Sequence, residues 1–281
     1  MNVGKTGMKA LSIVSRAFVY CWGLFTIFTF LWILTSALKT NNEFFSKAWG
    51  LFKTPQFSNF TKILFNYKLE RGFINSIFVV IVAIVGVLVV STPAAYVLAR
   101  IIFPFRRSLS KFITFGMGIP VQFLLIPLYF IIFRMKLIDN LWGLILVYIS
   151  LSIPFTIFLM TGFFKSLPGA LEEAARIDGC SKIRTFFKIM LPLGQPAIVT
   201  ATVFLFLDLI NEFLFAFTLI GSDTKYTMSV QIYSLQGSMQ YTGDWVALFA
   251  GIVIIIIPSA IIYLFLSRQL IQGITMGAVK E

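Results

Sequence analysis

Apolar residues along this chain of 281 residues run in long blocks, and most charged residues lie between the blocks. The blocks show neither the alternation of a half-buried strand nor the narrow apolar stripe of a soluble helix. About 20 consecutive apolar residues in a helix cross the hydrocarbon core of a bilayer, which is about 30 Å thick. The pattern therefore predicts six membrane-spanning helices, at roughly 17–38, 73–98, 111–133, 141–164, 197–220 and 245–266.

Several of these predicted spans contain proline, at Pro93, Pro120, Pro127 and Pro154. Membrane helices tolerate proline where neighbouring helices supply partners for the backbone groups that it frees. We therefore expect kinks at these positions without loss of the spans. The first block is too long for the apolar core of a secretory signal, and no cleavage site of small residues follows it, so we expect it to be retained.

The composition indicates a membrane protein and excludes several classes of enzyme. The chain is 58% hydrophobic and 12% charged, with a mean hydropathy of +0.92, which is more apolar surface than a soluble domain buries. It contains no His, so a His-ligated zinc or haem site and a Ser-His-Asp triad are excluded. Its two cysteines, Cys21 in the first block and Cys180 in a charged segment, do not predict a disulfide framework.

The net charge of +12 is spread over the segments between the spans, as membrane topology requires, and does not predict nucleic-acid binding. With the N-terminus inside, and Lys111 counted with the adjacent loop, 14 of the 23 Lys and Arg residues fall on the cytoplasmic side. Because positive residues favour that side, we predict that both termini are cytoplasmic. The cytoplasmic parts are then residues 1–16, 99–110, 165–196 and 267–281, and residues 165–196 are called the insert below.

The insert is the one charged segment between two predicted spans whose pattern indicates helices of its own. Ser166 is a suitable cap for a helix that Pro168 helps to start, and Gly179 lies where such a helix stops. Within it Glu172 precedes Arg176 by four residues, which is the favourable order for an ion pair on a helix. The sequence therefore predicts a first short helix between Pro168 and Gly179.

A second short helix follows the glycine. Ser181 is a suitable cap, and Ile183, Phe186, Phe187 and Met190 lie at the spacing of one amphipathic stripe. From the residues alone two interpretations stay open. The insert is either a loop whose aromatic face rests on the membrane surface, or a helix presented to a groove on a cytoplasmic partner.

Seven residues of the insert carry a resemblance to a known family. They read Glu-Ala-Ala, three residues, Gly, nine residues, Ile, one residue, Leu-Pro, which resembles the signature of permease subunits of bacterial ABC importers. In that family the first short helix is the coupling helix, which docks into a cleft of the ATP-hydrolysing subunit. The resemblance thus implies that the insert contacts an ATPase through Leu171, Glu172, Glu173, Ala174, Ala175, Arg176, Asp178, Gly179, Ile189, Leu191 and Pro192.

The resemblance extends over nearly the whole chain to carbohydrate permeases, particularly the six-span subunit of maltose-type systems. The stretches that carry it are 75–100, 125–146, 153–179 and the ending 272–281. It implies an all-α membrane protein of the type I ABC importer permease fold, located in a bacterial cell membrane. Its six-helix permease domain would cover residues 17–266. It also implies a companion permease, two copies of a cytoplasmic ATPase that binds the ATP and Mg, and an external solute-binding protein.

The ending of the chain is expected to contact the ATPase by the same resemblance. In maltose-type relatives the corresponding tail reaches the ATPase subunits, which implies a regulatory contact through Gly273, Gly277 and Lys280. From the residues alone, a glycine-containing tail of this kind indicates only a fraying terminus.

Acidic residues inside the fifth predicted span are the second candidate site. Asp208 and Glu212 lie four residues apart, on one face of a predicted helix, with Asn211 beside them. A charge in hydrocarbon is costly, so such residues line a cavity, pair with a partner or relay protons. Asn211, Glu212 and Phe213 match the Asn-Glu-Phe pattern of the family. Relatives often have Trp before that Asn where this chain has Ile210, and this departure weakens any substrate contact carried over from a relative.

Two functions from different classes follow. The first is a non-catalytic translocation subunit for a sugar or oligosaccharide, driven by ATP hydrolysis in a partner. This chain shows no complete phosphate-binding motif, because the Gly-Lys-Thr at its start lacks the preceding glycine and strand. The alternative is a proton-coupled secondary transporter that uses Asp208 and Glu212. It predicts transport without an ATPase and gives no reason for the insert.

Overall fold

The computed structural model describes residues 3–278, with side chains at 13–239, 241–258, 260, 261 and 264. Over these residues the chain is all-helical, which confirms the predicted fold class. The α-helices are α1 Val3–Ala37, α2 Asn41–Ser46, α3 Ser58–Thr61, α4 Leu69–Arg100, α5 Arg106–Gly116, α6 Leu125–Arg134, α7 Leu141–Ser166, α8 Ala170–Ile177, α9 Lys182–Thr185, α10 Leu191–Leu193, α11 Gln195–Ile210, α12 Leu214–Leu219, α13 Met228–Thr242 and α14 Trp245–Ala278. Short π-helical segments, Lys62–Asn66 and Phe186–Met190, and 3₁₀ turns, Val121–Leu124 and Asp223–Lys225, join some of them.

Three of the described helices are long and apolar enough to cross a membrane: Ile13–Ala37 within α1, Leu69–Arg100 and Leu141–Ser166. Two bent pairs raise the number to five, if each pair is one broken span. The first pair, Arg106–Gly116 with Val121–Arg134, bends by 93°, and the second, Lys182–Leu193 with Gln195–Ile210, bends by 67°. In α14 the described apolar part is shorter, so the count of six spans stays a prediction.

Proline breaks one predicted span but not the others. The third span, predicted as one helix over 111–133, is interrupted before Pro120. Proline disfavours the helical conformation of the residue before it and lacks the backbone N–H that would continue the helix. Pro93 and Pro154 lie inside unbroken helices, and Pro127 lies in the first turn of α6, where no N–H bond is lost. The kink expected at Pro120 is therefore a sharp bend of 93°, and the crossing of the membrane by 111–133 as one broken span stays a prediction.

Polar side chains mark the ends of the long helices. The Arg106 guanidinium donates to the carbonyls of Leu98 and Ala99, each at 2.8 Å, which satisfies the last turn of α4. At the start of α7 the Asn140 carboxamide oxygen accepts from the Trp142 N–H at 3.0 Å, a standard N-cap. These local bonds fix where the spans begin and end.

The chain forms two compact units, which comprise Met1–Leu69 with Ile232–Ile256, and Glu70–Gln231 with Ile257–Glu281. In the second unit α4 and α7 share two apolar clusters. One also takes in α11 and α12, with Val80, Ala83, Leu144, Tyr148, Leu209 and Phe215 among its buried residues. The other takes in the second half of the insert, with Tyr96, Met160, Phe164, Phe186 and Met190 among its buried residues. The insert is thus anchored on α4 and α7.

In the first unit, polar contacts order the segment that follows α1. The fully buried Lys39 ammonium donates to the Ala48 carbonyl at 2.8 Å, and burial lowers the pKa of this lysine. Asp244 forms an ion pair with Lys62 and accepts a hydrogen bond from Asn41 at 3.1 Å. Burial of Asp244 raises its pKa, but these donors outweigh burial and hold the pKa below its ordinary value.

Candidate functional site

A cavity of about 600 Å³ lies in the second unit, between α7 and α11, and is bordered by the residues around the start of α12. Aromatic and aliphatic side chains form most of its wall, and a few polar groups project among them. The lining residues are Val121, Gln122, Tyr148, Leu151, Ser152, Phe155, Phe204, Leu205, Asp208, Leu209, Glu212, Phe213, Leu214 and Phe215.

One side of the cavity is a break in the fifth predicted span, held by Glu212. Helix α11 ends at Ile210, and its continuation as far as residue 220 does not occur. The Glu212 carboxylate accepts hydrogen bonds from the Phe215 N–H at 2.8 Å, the Ala216 N–H at 3.2 Å and the Tyr148 hydroxyl at 2.6 Å. Free backbone groups in a membrane need such partners. The carboxylate therefore supplies the bonds that the interrupted helix lacks.

The structure brings two of the three predicted pathway residues to the cavity. Asp208 is on α11 and lines the cavity, and no hydrogen bond or ion pair joins it to another described residue. Asn211 is exposed and outside the lining, with its amide donating to the Leu207 carbonyl at 2.7 Å. The prediction that Asp208 and Glu212 share one helical face is wrong, because Glu212 lies beyond the end of α11.

Three polar lining residues were missed in the sequence: Gln122, Tyr148 and Ser152. Tyr148 is only 2% exposed, although its hydroxyl bonds to a carboxylate. A tyrosine and a serine four residues apart in an apolar span place two polar groups on one helical face. That spacing is the signal that could have indicated them.

The first helix of the insert ends as predicted. Gly179 has φ +72°, its N–H donates to the Arg176 carbonyl at 3.1 Å, and the Cys180 N–H donates to the Ala175 carbonyl at 2.9 Å. This is the Schellman arrangement, which favours glycine at the left-handed position. The predicted cap is wrong, because α7 continues through Ser166 and α8 begins only at Ala170.

The two faces of α8 have different surroundings. Ala175 is buried, and Leu171 and Glu172 are half-buried on the side toward the bundle. On the other side lie exposed residues, both apolar and charged, and Ile177 is 86% exposed. The exposed residues of this face and of the turn after it are Ala170, Glu173, Ala174, Arg176, Ile177, Asp178 and Gly179.

Glu172 does not pair with Arg176, and that prediction is wrong. Its carboxylate accepts a hydrogen bond from the Tyr96 hydroxyl at 2.9 Å, and its other oxygen lies 3.7 Å from Nε of Arg100. Arg100 also donates to the carbonyl of Leu167, the first residue of the link between α7 and α8. Tyr96 and Arg100 both belong to the last turns of α4, so Glu172 joins the insert to that helix.

The second half of the insert is not one amphipathic stripe. Ser181 caps α9 as predicted, accepting from the Arg184 N–H at 3.3 Å. The following π-helical segment has more residues per turn than an α-helix, so that residues three apart no longer share a side. Phe186 and Met190 are buried, whereas Ile183 and Phe187 are exposed. The prediction of a single apolar face is therefore wrong.

The remaining residues predicted to contact the ATPase also include both inward-facing and exposed side chains. Ile189 and Leu191 are half-buried and pack on the cluster shared by α4 and α7, and Pro192 is exposed. In the ending, the backbone of Gly273 and Gly277 continues α14, and Lys280 lies outside the described residues. The contacts predicted for these residues with an ATPase stay predictions.

These features define a class of protein. Apolar spans, two of them bent or interrupted, enclose a cavity lined by a few polar groups, and a short helix projects an exposed face beside them. This combination is typical of a multi-pass membrane transport protein, since irregular backbone in a membrane occurs where it is buried or lines a cavity.

The comparisons with known proteins identify the family. Residues 91–275 match the family described as "Binding-protein-dependent transport system inner membrane component". The chain belongs to this family and is a permease of the ABC transporter type, as the resemblance implied.

Relatives cover almost the whole chain. It is 32% identical over 272 residues to the diacetylchitobiose uptake system permease protein NgcG of Streptomyces coelicolor, which covers 97% of this chain and 90% of that protein. It is 33% identical over 251 residues to the trehalose transport system permease protein SugB of Mycobacterium tuberculosis, covering 89% and 91%.

A solved structure shares the fold. A chain from the crystal structure of a bacterial ABC transporter involved in the import of the acidic polysaccharide alginate superposes with a TM-score of 0.79 at 23% identity. The match covers 92% of this chain and 96% of that chain. It confirms the type I permease fold over nearly the full length.

Proposed function

We propose that this chain is the translocation subunit of an ATP-driven importer for a sugar or oligosaccharide. The observation that carries the proposal is the geometry of the insert, in which a glycine-terminated helix bearing the Glu-Ala-Ala signature presents an exposed, mixed apolar and charged face. Such a face suits a groove on another protein better than it suits solvent. The names of the relatives, which refer to uptake of diacetylchitobiose and transport of trehalose, support a carbohydrate substrate.

The cavity is proposed as this chain's part of the pathway. Its volume of about 600 Å³ lies within the range of small-molecule pockets, about 300 to 1,000 Å³. Aromatic faces such as those of Phe155 and Phe204 suit the C–H faces of a sugar ring, and Asp208 and Gln122 suit its hydroxyl groups. The site would thus offer several weak contacts, which suits passage better than retention.

Energy is proposed to enter through the insert. ATP binding would close a pair of cytoplasmic ATPase subunits, and the exposed face of α8 would carry their movement into a rigid-body change around the cavity. The ATP and Mg would be bound by those subunits, and this chain would bind no cofactor and catalyse no reaction. A companion permease and an external solute-binding protein complete the assembly, with both termini of this chain in the cytoplasm.

Within this assembly the end of the chain is proposed to reach the ATPase as well. Gly273, Gly277 and Lys280 are the residues that the resemblance assigns to that contact. The proposal is supported by the sequence of the ending, together with the helical backbone that continues to Ala278.

The proton-coupled alternative receives less support from the site. A relay needs a carboxyl group that is free to exchange protons, but Glu212 accepts three hydrogen bonds at the helix break. Asp208 is then the sole carboxyl lining this cavity without such bonds. The alternative also gives no role to the exposed face of α8.

The proposal is tested by reconstituting the chain with its companion permease, ATPase and solute-binding protein, and comparing wild type with Glu173→Lys and Gly179→Trp. Both changes alter the exposed face, so we expect assembly or binding-protein-stimulated ATP hydrolysis to be lost while insertion is normal. Asp223→Lys is the matched control, because it makes the same charge change at an exposed residue outside the insert. If both insert variants assemble and hydrolyse ATP like wild type, the insert is not the coupling element.

A further inference from the structure

Contacts among three side chains, Tyr96, Arg100 and Glu172, hold the insert against the C-terminal end of α4. The Tyr96 hydroxyl donates to Oε1 of Glu172 at 2.9 Å, and Nε of Arg100 lies 3.7 Å from Oε2 of the same carboxylate. The side chains of Arg100 and Glu172 are only 14% and 22% exposed. In such surroundings charge-assisted contacts are less screened than on an open surface. The three residues are called the latch below.

The surroundings of the latch hold its members in place. Tyr96 is 5% exposed, and its ring packs edge-on against Phe164, at 5.9 Å between centroids, and in a tilted arrangement against Phe186, at 5.1 Å. A second nitrogen of Arg100, Nη2, donates to the Leu167 carbonyl in the link before α8. Its buried Nε has no hydrogen-bond partner among the described residues, so its contact with Glu172 is an ion pair without a direct hydrogen bond. The latch therefore secures both α8 and the link that precedes it.

The helix α8 thus carries two carboxylates with opposite surroundings. Glu173 is on the exposed face, where a partner would dock, and the adjacent Glu172 is directed to α4. Helix α4 in turn packs against α7 over much of its length, and α7 contributes Tyr148 and Ser152 to the cavity. A continuous line of contacts therefore runs from the docking face, through the latch and α4, to the cavity wall.

We propose that Tyr96 and Arg100 are positioning residues which make α8 move as one body with α4, so that a displacement of the insert reaches the cavity. The inference rests on the proposed function. Without the latch, α8 is held at its two ends, by the short link 167–169 and by the anchored second half of the insert, and between them by the packing of Ala175. A push on its exposed face would then tilt α8 without moving the span. Docking and transmission thus belong to different residues of one short helix.

The experiment separates transmission from docking. The full complex, with companion permease and ATPase, is placed in lipid nanodiscs with a nitroxide label at Gln122→Cys, a residue lining the cavity. Cys21 and Cys180 are replaced by serine and the thiols of the other subunits are blocked before assembly, so that only the new thiol is labelled. The probe is Mg-ATP alone, and two quantities are measured: the fraction of labels whose mobility changes on ATP addition, and the rate of hydrolysis.

The variants are Tyr96→Phe and Glu172→Gln, with Asp223→Asn as the matched control, because it removes one carboxylate charge at an exposed residue outside the insert. In both latch variants we expect the ATP-dependent label response to fall by about tenfold, the effect of losing one interaction with a charged group. Hydrolysis is expected to stay close to that of wild type, and Asp223→Asn to keep the full label response. Glu172→Gln preserves side-chain size, so it decides the question if Tyr96→Phe fails to insert.

Two results would overturn the inference. A normal label response in Glu172→Gln shows that the latch does not transmit the movement. Parallel loss of hydrolysis and label response shows that Glu172 belongs to docking. The proposed function itself fails separately, if Glu173→Lys and Gly179→Trp leave assembly and stimulated hydrolysis intact.

Discussion

Removing the carboxylate of Glu212 is expected to destabilise the folded chain severely. Glu212→Ala takes away the acceptor of three hydrogen bonds, from the Tyr148 hydroxyl at 2.6 Å and from the N–H groups of Phe215 and Ala216 at 2.8 and 3.2 Å. Tyr148 and Phe215 are buried, at 2% and 3% exposure. A buried donor left without a partner costs about 1–3 kcal/mol.

The three losses do not add fully, because Glu212 borders a cavity that water can enter. We take the lower part of the range for each and expect Glu212→Ala to lower the free energy of unfolding by about 3–4 kcal/mol. That is a large share of a stability of about 5–15 kcal/mol. Glu212→Gln keeps an acceptor oxygen for the two backbone groups but loses the charge, so its expected cost is about 1–2 kcal/mol.

The assay is equilibrium unfolding of the purified chain in mixed micelles, with the fraction of denaturing detergent raised stepwise and the fluorescence of the five tryptophans recorded. A double-mutant cycle with Tyr148→Phe isolates the bond between the hydroxyl and the carboxylate. A loss below about 1 kcal/mol for Glu212→Ala, less than a single unsatisfied donor costs, would refute the idea that this carboxylate supports the helix break.

Three further predictions concern residues outside the spans. The Ser222 hydroxyl, together with backbone N–H groups and the Lys225 ammonium, holds the pKa of Asp139 well below its ordinary range. The ionised Asp139 therefore stabilises the fold above about pH 4, and this contribution is lost as the pH falls below that value. Asp139→Asn should then flatten the acid side of a melting-temperature profile, and an unchanged profile would contradict this. Gly179→Ala places alanine at a φ of +72° and should lower the free energy of unfolding in detergent by about 1 kcal/mol. Its control is Gly169→Ala, in open space at a φ of −65°, which should change that free energy by less than about 0.5 kcal/mol. Asp244→Asn breaks the ion pair of a carboxylate that is only 7% exposed and should lower stability by about 2 kcal/mol, measured in the same way, while a neutral result would show that the pair contributes nothing.

Features that depend on neighbouring residues were predictable from the sequence. Gly179 was recognised as a helix stop and Ser181 as a cap, because both act through the backbone within a few residues. The break at residues 211–213 was not, since the apolar composition is the same on both sides of it. Its stabilising partner, Tyr148, lies 64 positions away in the chain, and no local pattern indicates such a pairing.

The partners of Glu172 in the latch were likewise not predictable from neighbouring residues in the sequence. Local helix rules chose Arg176 as the partner of Glu172, four residues along. In the structure the partners come from α4, with Tyr96 lying 76 positions away. A half-buried site excludes the water that would compete for Glu172, so tertiary contacts outweigh a surface pair worth about 0.2–0.5 kcal/mol. The sequence therefore indicated where the first helix of the insert ends, but the division of the insert's residues into an inward and an outward set required the fold.

The π-helical turn at Phe186–Met190 affects what happens to copies of this chain that find no companions. It turns Phe186 and Met190 inward and leaves Phe187 and Ile183 at 60% and 72% exposure, close in sequence to Ile177 at 86%. Exposed apolar groups of this kind are the surfaces that chaperones and proteases engage on unassembled chains. If a partner covers this surface, as the proposed function requires, surplus copies would stay open to removal, and the amount of this subunit would follow that of its partners.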